Sequence, residues 1–347
     1  MMLVKLMKQL AYIYPSRGLE LREVPEPQVT HDTDVKIKVS YCAICGSDVH
    51  MSTGAFDYML NGMPEGFPMP LGHEVSGVVV EVGSACTSVK VGDHVAYNNN
   101  RSCGKCYFCR NHMENLCPYP NGTQGGMGAY VVTDESQVYH LPEGISLRNG
   151  CLAEPTSIAM RAVQRGEITP GKSVAIYGGG PIGMLVLQLA RLSGAYPLVL
   201  MDIVPEKLDL AVRMGADAAL RSDSPQLLEE VRKQMEDRGF DVVIECSGAL
   251  PALDAAYRSV APGGTLVIAS AYKGGAEYSL DLGTLFNHEM TIKSVFLSPG
   301  LFDHSVRILN RLDLDRVITG EFPLEQYEAA FQAHRSGKHV KIIFKLD

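Results

Sequence analysis

Two patterns of hydrophobic and polar residues follow one another along the chain. In the first 150 residues, short alternating segments are broken by glycine, proline and asparagine, as in half-buried strands. The clearest are DVKIKVSYCAIC, EVSGVVVEVG, GDHVAYN and GAYVVTDESQVYHLP, and the opening MMLVKLMKQLAYIY reads as a first strand with a short leader. Since no helical pattern separates these strands, we predict a barrel-like β domain.

From about residue 173, apolar strands alternate with helices. The segments are SVAIYG, PIGMLVLQLARLSGA, PLVLMD, PEKLDLAVRMGA, DAAL, SPQLLEEVRKQMEDRG, FDVVIECSG, PALDAAYRSVAPGG and TLVIAS. This alternation predicts an open parallel sheet with right-handed crossovers. The chain ends in a helix and an apolar strand, for which the N-terminal domain is the expected host.

The length, charge and cysteine content of the chain exclude several classes of protein. A chain of 347 residues, 46% of them hydrophobic, is expected to form two domains. Its net charge of −8 disfavours nucleic acid as a partner, and its apolar runs are too short to span a membrane. Nine cysteines, an odd number, fit a reducing compartment better than a disulfide framework. We therefore expect a cytoplasmic protein that binds neither nucleic acid nor a membrane.

Four cysteines have a spacing that is typical of a zinc site. They are Cys103, Cys106, Cys109 and Cys117, in the arrangement C-x2-C-x2-C-x7-C. Thiolates this close repel one another unless a metal neutralises them, and the short gaps let one ion collect four sulfurs tetrahedrally. Four thiolates leave no open coordination position, so we predict a structural zinc here rather than a catalytic one.

A glycine-rich turn follows the strand SVAIY and opens a helix, which is the context that a dinucleotide-binding motif requires. The residues of the turn are Gly178, Gly180, Pro181, Ile182 and Gly183. The next strand ends at Asp202, where a carboxylate can accept hydrogen bonds from ribose hydroxyls. That carboxylate would repel a 2′-phosphate, and the next three residues offer no guanidinium to receive one. We therefore predict NAD rather than NADP.

Three further segments carry metal-binding side chains: Cys45, then His73 with Glu74, then Glu154. A thiolate, an imidazole and a carboxylate leave one coordination position open, as a catalytic zinc requires. Spacing alone does not bring these residues together. Cys45 also fits a core thiol, His73 a strand histidine, and Glu154 an acidic residue at a helix N-terminus.

The order of these motifs resembles the zinc-containing medium-chain alcohol dehydrogenases, and within them the sorbitol, threonine and butanediol dehydrogenase branch. From about Lys8 to the C-terminus, the matching motifs are CGSDVH, PLGHEVSGVV, VGDHV, the four-cysteine segment, AEP and GGGPIG. The resemblance implies a GroES-like β-barrel catalytic domain over residues 1–156, with a structural zinc lobe at about 98–120. It also implies a Rossmann doubly wound domain over residues 157–293, with residues 294–347 returning to the catalytic domain.

The resemblance further implies roles for particular residues. A catalytic zinc is held by Cys45, His73 and Glu74, with Glu154 as a ligand or as the partner of a bound water. Lys207 touches the adenosine ribose. The backbone that faces nicotinamide comes from Ala269, Ser270, Ala271, Val295, Phe296 and Leu297. NAD and two zinc ions per subunit are the implied cofactors, and a homodimer or homotetramer is the implied assembly.

The expected chemistry is oxidation of a secondary alcohol to a ketone. Zinc with few protein ligands acts as a Lewis acid on the alcohol oxygen, and NAD accepts the hydride. Ser47 can take the alcohol proton and His50 can pass it onward, while Asp48 is expected to orient a metal-bound imidazole. Ser47 and Asp48 also fit ordinary turn chemistry after a strand.

The substrate is less sharply indicated. Sorbitol-type enzymes carry an aromatic residue after the relay histidine and an arginine near the nicotinamide, whereas this chain has Met51 and Leu297. Sorbitol itself is therefore disfavoured. We expect a polyol, a sugar-derived alcohol or an amino alcohol, with threonine-like or butanediol-like activity as alternatives. Phe56, Tyr58 and Phe67 fit either a substrate wall or a loop that packs on itself.

Three other hypotheses explain part of the sequence. A zinc-free quinone or enoyl reductase would lack the ligands Cys45 and His73. A non-enzymatic zinc-ribbon protein explains the four cysteines, but neither the glycine-rich turn nor Asp202. A structural protein derived from an enzyme disagrees with the intact set of ligands. We therefore predict an NAD-dependent zinc alcohol dehydrogenase.

Overall fold

The computed structural model describes residues 5–15, 17–120, 122, 125–272 and 274–346. Within it the chain divides into two compact units. The first unit comprises Met1–Glu154, Pro299–Ser336 and Lys341–Asp347, and the second comprises Pro155–Ser298 and Gly337–Val340. The leader expected before the first strand, at residues 1–4, lies outside the described residues.

Strands and helices are numbered in chain order. The strands are β1 (Leu6–Ile13), β2 (Leu19–Pro25), β3 (Asp34–Ala43), β4 (Pro68–Pro70), β5 (Glu74–Val82), β6 (His94–Tyr97), β7 (Tyr130–Asp134), β8 (Val138–His140), β9 (Val174–Tyr177), β10 (Leu198–Asp202), β11 (Ala218–Arg221), β12 (Phe240–Glu245), β13 (Val260–Ile268), β14 (Thr291–Ser294), β15 (Ile318–Pro323) and β16 (Lys341–Lys345). The helices are α1 (Gly46–Ser52), α2 (Tyr107–Arg110), α3 (Leu147–Gly150), α4 (Ala153–Gly166), α5 (Pro181–Leu192), α6 (Pro205–Arg213), α7 (Leu227–Gln234), α8 (Leu250–Arg258), α9 (Leu282–Asn287), α10 (Phe302–Ile308), α11 (Leu314–Val317) and α12 (Tyr327–Arg335).

The first unit is built on two sheets. The larger has the order β15-β16-β3-β5-β6-β8, with β7 also paired to β3, and the smaller has the order β2-β1-β4. In the larger sheet, Ala43 at the end of β3 lies opposite Glu74 of β5 on one side and Ile343 of β16 on the other. The residues that follow β3, the start of β5 and the start of β16 therefore lie at one end of this sheet.

The second unit is a six-stranded parallel sheet of order β11-β10-β9-β12-β13-β14. Counted from β9, this is the order 3-2-1-4-5-6 of a Rossmann fold, so the predicted doubly wound sheet is confirmed. Every residue of β9 and β10 is buried, as expected for central strands covered on both faces. The carboxyl end of β9, where the strand order reverses, is the ligand crevice of such folds.

Two local expectations are corrected. The strand expected over DVKIKVSYCAIC ends at Ala43, and the segment CGSDVH that overlaps its end forms the N-cap and the first residues of α1. The helix predicted over residues 224–239 is helical only at Leu227–Gln234. Glu236 and Asp237 have φ of 50° and 65°, in the left-handed region, so the helix cannot continue through them. The pattern of apolar and polar residues does not reveal this. In the part of the chain that the structure describes, no helix has the length and apolar character needed to cross a membrane.

Candidate functional site

The four cysteines of the C-x2-C-x2-C-x7-C segment come together in the first unit. Their sulfur atoms all lie within 4.8 Å of one another. The Cys106 sulfur is 3.4 Å from that of Cys109 and 3.9 Å from that of Cys117, and the sulfurs of Cys103 and Cys109 are 3.9 Å apart. Sulfurs bound tetrahedrally at about 2.3 Å from zinc are separated by about 3.8 Å, so this arrangement fits the ion.

The backbone of this lobe favours the thiolate form that zinc needs. The N–H groups of Cys103 and Tyr119 each lie 3.4 Å from the Cys117 sulfur. Hydrogen bonding from the backbone of Lys105 lowers the pKa of Cys103 to about 6. For Cys106 a backbone hydrogen bond from Cys109 lowers the pKa, but burial and the neighbouring thiols outweigh it and raise the pKa to about 11. Amide donors aimed at sulfur stabilise negative charge before a metal arrives, so the lobe is shaped for a cation.

A second group, Cys45, His73 and Glu74, also lies in the first unit, with ligand atoms all within 4.8 Å of one another. Cys45 caps the N-terminus of α1 directly after β3, and Glu74 begins β5. Gly72 has a φ of +94°, and a Cβ atom there would meet the backbone nitrogen of Met127 at 2.4 Å. Glycine at this position therefore allows the tight approach that delivers His73.

Asp48 lies beside the histidine of this group. Its carboxylate accepts the N–H of Cys45 at 2.9 Å and that of Gly72 at 3.4 Å, and it lies 3.7 Å from Nδ1 of His73. Burial alone would lower the pKa of His73, but the charges of Asp48 and Cys45 raise it well above its usual value. The imidazole is thus held between a carboxylate and a thiol, a typical setting for a metal ligand.

Lys341 is a member of this site that sequence reasoning missed. Its ammonium group is fully buried and donates to both oxygens of Glu74, at 2.6 and 2.7 Å, and to the Ile44 carbonyl at 3.0 Å. Glu74 is therefore held in an ion pair on the side of β16. The only signal in the sequence was a lysine at the start of the apolar run KIIF, which also reads as a strand boundary.

Glu154 lies in the first turn of α4 and is buried, but it is outside the three-residue group. Burial raises the pKa of Glu154 to about 7, with His73 opposing the shift and Glu74 adding to it. The charges of His73 and Glu74 therefore act on the Glu154 carboxyl, although Glu154 is not one of the three clustered residues.

Helix α1 presents the residues expected to move protons. Ser47 lies in its first turn and His50 in its last, and both are half-buried. Partial burial lowers the pKa of His50, which favours the neutral imidazole that can accept a proton. The ring of Phe56 stands 5.0 Å from that of His50, and Tyr58 is 6.0 Å from Phe56. Tyr58 is exposed, whereas Phe56 is buried and Phe67 half-buried.

The glycine-rich turn in the second unit has the shape that a pyrophosphate requires. Gly178 has a φ of +105°, and a Cβ at Gly183 would stand 1.8 Å from the Gly178 carbonyl oxygen. Gly180 caps α5, with Pro181 in the first helical position followed by Ile182, and a Cβ on Gly180 would meet nothing within 4 Å. The N-terminus of α5, whose first N–H groups have no partner within the helix, therefore begins beside open space, which fits a phosphate group.

Asp202 ends β10 and is held rigidly. Its two carboxylate oxygens accept the N–H groups of Gly179 at 2.6 Å and Val204 at 2.8 Å. Lys207, in the first turn of α6, is buried, and burial lowers its pKa while the charge of Asp202 opposes the shift. Carboxylate oxygens have further lone pairs, so Asp202 can still accept ribose hydroxyls.

The remaining predicted cofactor residues follow the neighbouring strands β13 and β14 of the same sheet. They are Ala269, Ser270, Ala271, Val295, Phe296 and Leu297. The Val295 N–H donates to the Ile268 carbonyl at 2.9 Å, which joins the two segments at the carboxyl edge of the sheet. Leu297 has a φ of 56°, a backbone conformation that is uncommon for leucine.

Comparison with known proteins identifies the family. The model for the alcohol dehydrogenase GroES-like domain matches residues 31–143, and that for zinc-binding dehydrogenase matches residues 181–313. A probable D-xylulose reductase A from Emericella nidulans is 33% identical over 94% of this chain and 92% of its own length. The chain belongs to the zinc-containing alcohol dehydrogenase family. The predicted fold class, a GroES-like domain with a Rossmann domain, is confirmed.

Two further relatives place the chain within this family. Sorbitol dehydrogenase from Bacillus subtilis is 31% identical over 93% of this chain and 92% of its own length. The crystal structure of a putative zinc-binding dehydrogenase from Clostridium scindens superposes with a TM-score of 0.92, at 34% identity, covering 98% of this chain and 99% of that one. The protein is thus an alcohol dehydrogenase that acts on a small molecule, and the zinc-ribbon hypothesis is wrong.

Proposed function

We propose that this alcohol dehydrogenase oxidises a secondary alcohol bearing other hydroxyl or amino groups to a ketone, with NAD as the hydride acceptor. The observation that carries the proposal is the group Cys45, His73 and Glu74. It offers one thiolate, one imidazole and one carboxylate, in contrast to the saturated set of four cysteines. A ligand set of this size leaves room for a substrate oxygen.

Zinc bound by Cys45 and His73 would supply Lewis-acid activation of the alcohol oxygen. Asp48 holds the His73 ring in position, and Lys341 fixes Glu74, so the ligands are oriented before substrate binds. Glu154 is the candidate for a further ligand or for the partner of a bound water. Ser47 accepts the alcohol proton, and the neutral His50 at the other end of α1 passes it to solvent.

The second unit is proposed to hold NAD through Gly178–Gly183, Asp202, Lys207 and the segments after β13 and β14. Hydride acceptance is the chemistry that the cofactor itself supplies. The preference for NAD over NADP rests on Asp202, because a buried carboxylate fixed by two backbone N–H groups cannot move away from a 2′-phosphate.

A polyol or sugar-derived alcohol is the favoured substrate class, which the names of the xylulose and sorbitol relatives support. Met51 and Leu297 stand at the sequence positions where sorbitol-type enzymes carry an aromatic residue and an arginine, and neither side chain can donate a hydrogen bond to a long polyol. Phe56, buried beside His50, forms one apolar wall. A compact substrate, such as a short diol, sugar-derived alcohol or amino alcohol, fits these residues better than sorbitol.

The protein is also proposed to form a homodimer or homotetramer in a reducing cytoplasm. Strand β14 is at the edge of the six-stranded sheet, and the nearby Leu282, Phe286 and Phe296 are 69%, 83% and 58% exposed. An open edge flanked by apolar side chains favours pairing with a second subunit. Light scattering after gel filtration is expected to give at least twice the mass of one chain, and a monomer would contradict the proposal.

A substrate panel tests the proposed function. Zinc-loaded enzyme is mixed with NAD or NADP and with polyols, sugar-derived alcohols, amino alcohols including threonine, and 2,3-butanediol, and nicotinamide absorbance is followed. We expect reduction of NAD with at least one secondary alcohol and much slower reduction of NADP. A preference for NADP would contradict the role of Asp202, and failure with every alcohol would contradict the proposed substrate class.

A further inference from the structure

Glu245 is a fully buried carboxylate at the carboxyl end of β12, in the second unit. Its Oε1 accepts the N–H of Ser247 at 2.7 Å, the hydroxyl of Ser247 at 2.5 Å and the N–H of Gly248 at 3.1 Å. Its Oε2 accepts the hydroxyl of Tyr272 at 2.7 Å and that of Ser270. A carboxyl group that receives five donors acts only as an acceptor, which is the behaviour of the ionised form.

Among the residues that the structure describes, no lysine, arginine or histidine forms an ion pair with Glu245, whose hydrogen-bond donors are backbone N–H groups and hydroxyls. Isolated charges are costly to bury, and dipolar donors offset that cost without cancelling the charge. Within the described part of the second unit, the carboxyl end of β12 therefore keeps a net negative charge.

The carboxylate connects two parts of the proposed cofactor site. Through Ser270 it is bonded to the segment that follows β13, which is assigned to the nicotinamide. Through Ser247 it is bonded to the loop against the glycine-rich turn, since a Cβ at Gly178 would meet the Ser247 nitrogen at 2.9 Å. The negative charge of Glu245 is thus placed at the crevice where β9, β12 and β13 end.

We propose that Glu245 makes this enzyme bind the oxidised nicotinamide cofactor in preference to the reduced one, an inference that rests on the proposed function. The oxidised ring carries one positive charge and the reduced ring carries none, whereas both forms share the same pyrophosphate. A fixed negative charge at the crevice therefore stabilises only the oxidised form. The consequence is that bound NAD⁺ is a weaker hydride acceptor than free NAD⁺, and the bound equilibrium shifts toward the oxidised cofactor and the alcohol by the same factor as the binding preference.

The test compares two dissociation constants of the full-length zinc-loaded enzyme. That of NAD⁺ is measured by calorimetry and that of NADH by its fluorescence. Glu245→Gln removes the charge and keeps the size. We expect the ratio of the NAD⁺ constant to the NADH constant to rise about tenfold, the order expected of one partly screened charge. A structural role alone would weaken both forms by the same factor, and that result would overturn the proposal.

Tyr272 offers a matched pair of variants that leaves Glu245 in place. Tyr272→Lys sets an ammonium group near Oε2 and is expected to raise the same ratio, whereas Tyr272→Phe removes a donor without changing charge and is expected to leave the ratio unchanged. Equal ratios in these two variants would overturn the proposal even if Glu245→Gln did not fold. Wild-type enzyme that bound neither nucleotide would refute the cofactor assignment as well. If the wild-type enzyme bound both nucleotides, and neither Glu245→Gln nor Tyr272→Lys changed the ratio of the two dissociation constants, only the role of Glu245 would be refuted. The cofactor assignment would stand.

Discussion

Ser47 and Cys45 stand two residues apart at the start of α1, yet different tasks are proposed for them. Cys45 caps the helix and points its sulfur into the group with His73 and Glu74. Ser47 lies in the same turn and is half-buried. A serine so close to the proposed metal can handle the alcohol proton without being a ligand.

Ser47→Ala is expected to lower turnover on the order of 10²-fold, the usual effect of losing a proton-transfer group. Zinc content should stay at the wild-type value, because the ligand set is intact. Ser52→Ala is the control: this hydroxyl of the same helix donates to the Val49 carbonyl at 2.7 Å and has no proposed role in proton transfer. Unchanged turnover in Ser47→Ala would remove Ser47 from the proton path.

Asp202→Ala is expected to raise the Michaelis constant for NAD by roughly 10- to 100-fold, as loss of hydrogen bonds to a charged group implies. The discrimination against NADP should fall at the same time, because the repulsion of a 2′-phosphate is removed. Steady-state kinetics with both nucleotides measures the two effects. Asp209→Ala, on the exposed face of α6, serves as the control, and equal kinetics in the two variants would argue against the assignment of Asp202.

At the scale of elements, the proposed metal site depends on where β3, β5 and β16 end. Each strand supplies a site residue at or next to one of its ends: Cys45 follows β3, Glu74 begins β5 and Lys341 begins β16. The register of the sheet places these three strand ends side by side, because Ala43 lies opposite both Glu74 and Ile343. The turn before β5 must also pass close to its neighbours, which makes Gly72 the critical residue of that element.

Gly72→Ala is expected to destabilise the protein and reduce zinc content together. Gly92→Ala is a matched control, because Gly92 has almost the same φ, +95°, but a Cβ there meets nothing within 4 Å. Both variants strain the backbone, by about 1–2 kcal/mol. Only Gly72→Ala adds a clash with Met127 and Cys42, worth roughly 1–3 kcal/mol. Chemical denaturation measures the difference, and equal losses in the two variants would show that close packing at Gly72 is unimportant.

At the scale of the whole molecule, local patterns predict most of the fold. Period-two segments predict the strands of the first unit, and strand–helix alternation predicts the parallel sheet of the second, because each pattern follows from which face is buried. The four cysteines and the glycine-rich turn are equally visible, since their residues are close in sequence. Lys341 and Glu245 are not. Lys341 pairs with Glu74, 267 residues away, and Glu245 accepts from Ser270 and Tyr272, 25 and 27 residues away. Sheet register, which no local pattern reveals, brings these side chains together.

Cys45, His73 and Glu74 could be predicted as one site only from the family resemblance, because Cys45 is far from the other two in sequence. Their spacing fits ordinary core and strand positions, and no local rule predicts their convergence. The structure brings these three together and leaves Glu154 outside the group. Glu154 stays a candidate ligand whose role depends on what binds beside His73.

Two metal sites with different tasks underlie the proposed function, and zinc content measured together with NAD reduction in Cys45→Ala distinguishes them. Wild-type enzyme is expected to hold two zinc ions per chain. Cys45→Ala should hold one, in the four-cysteine lobe, and should have lost activity. Cys86→Ala, which changes a half-buried thiol outside both groups, should keep both ions and full activity. A Cys45→Ala enzyme that bound one zinc and still reduced NAD would contradict the account.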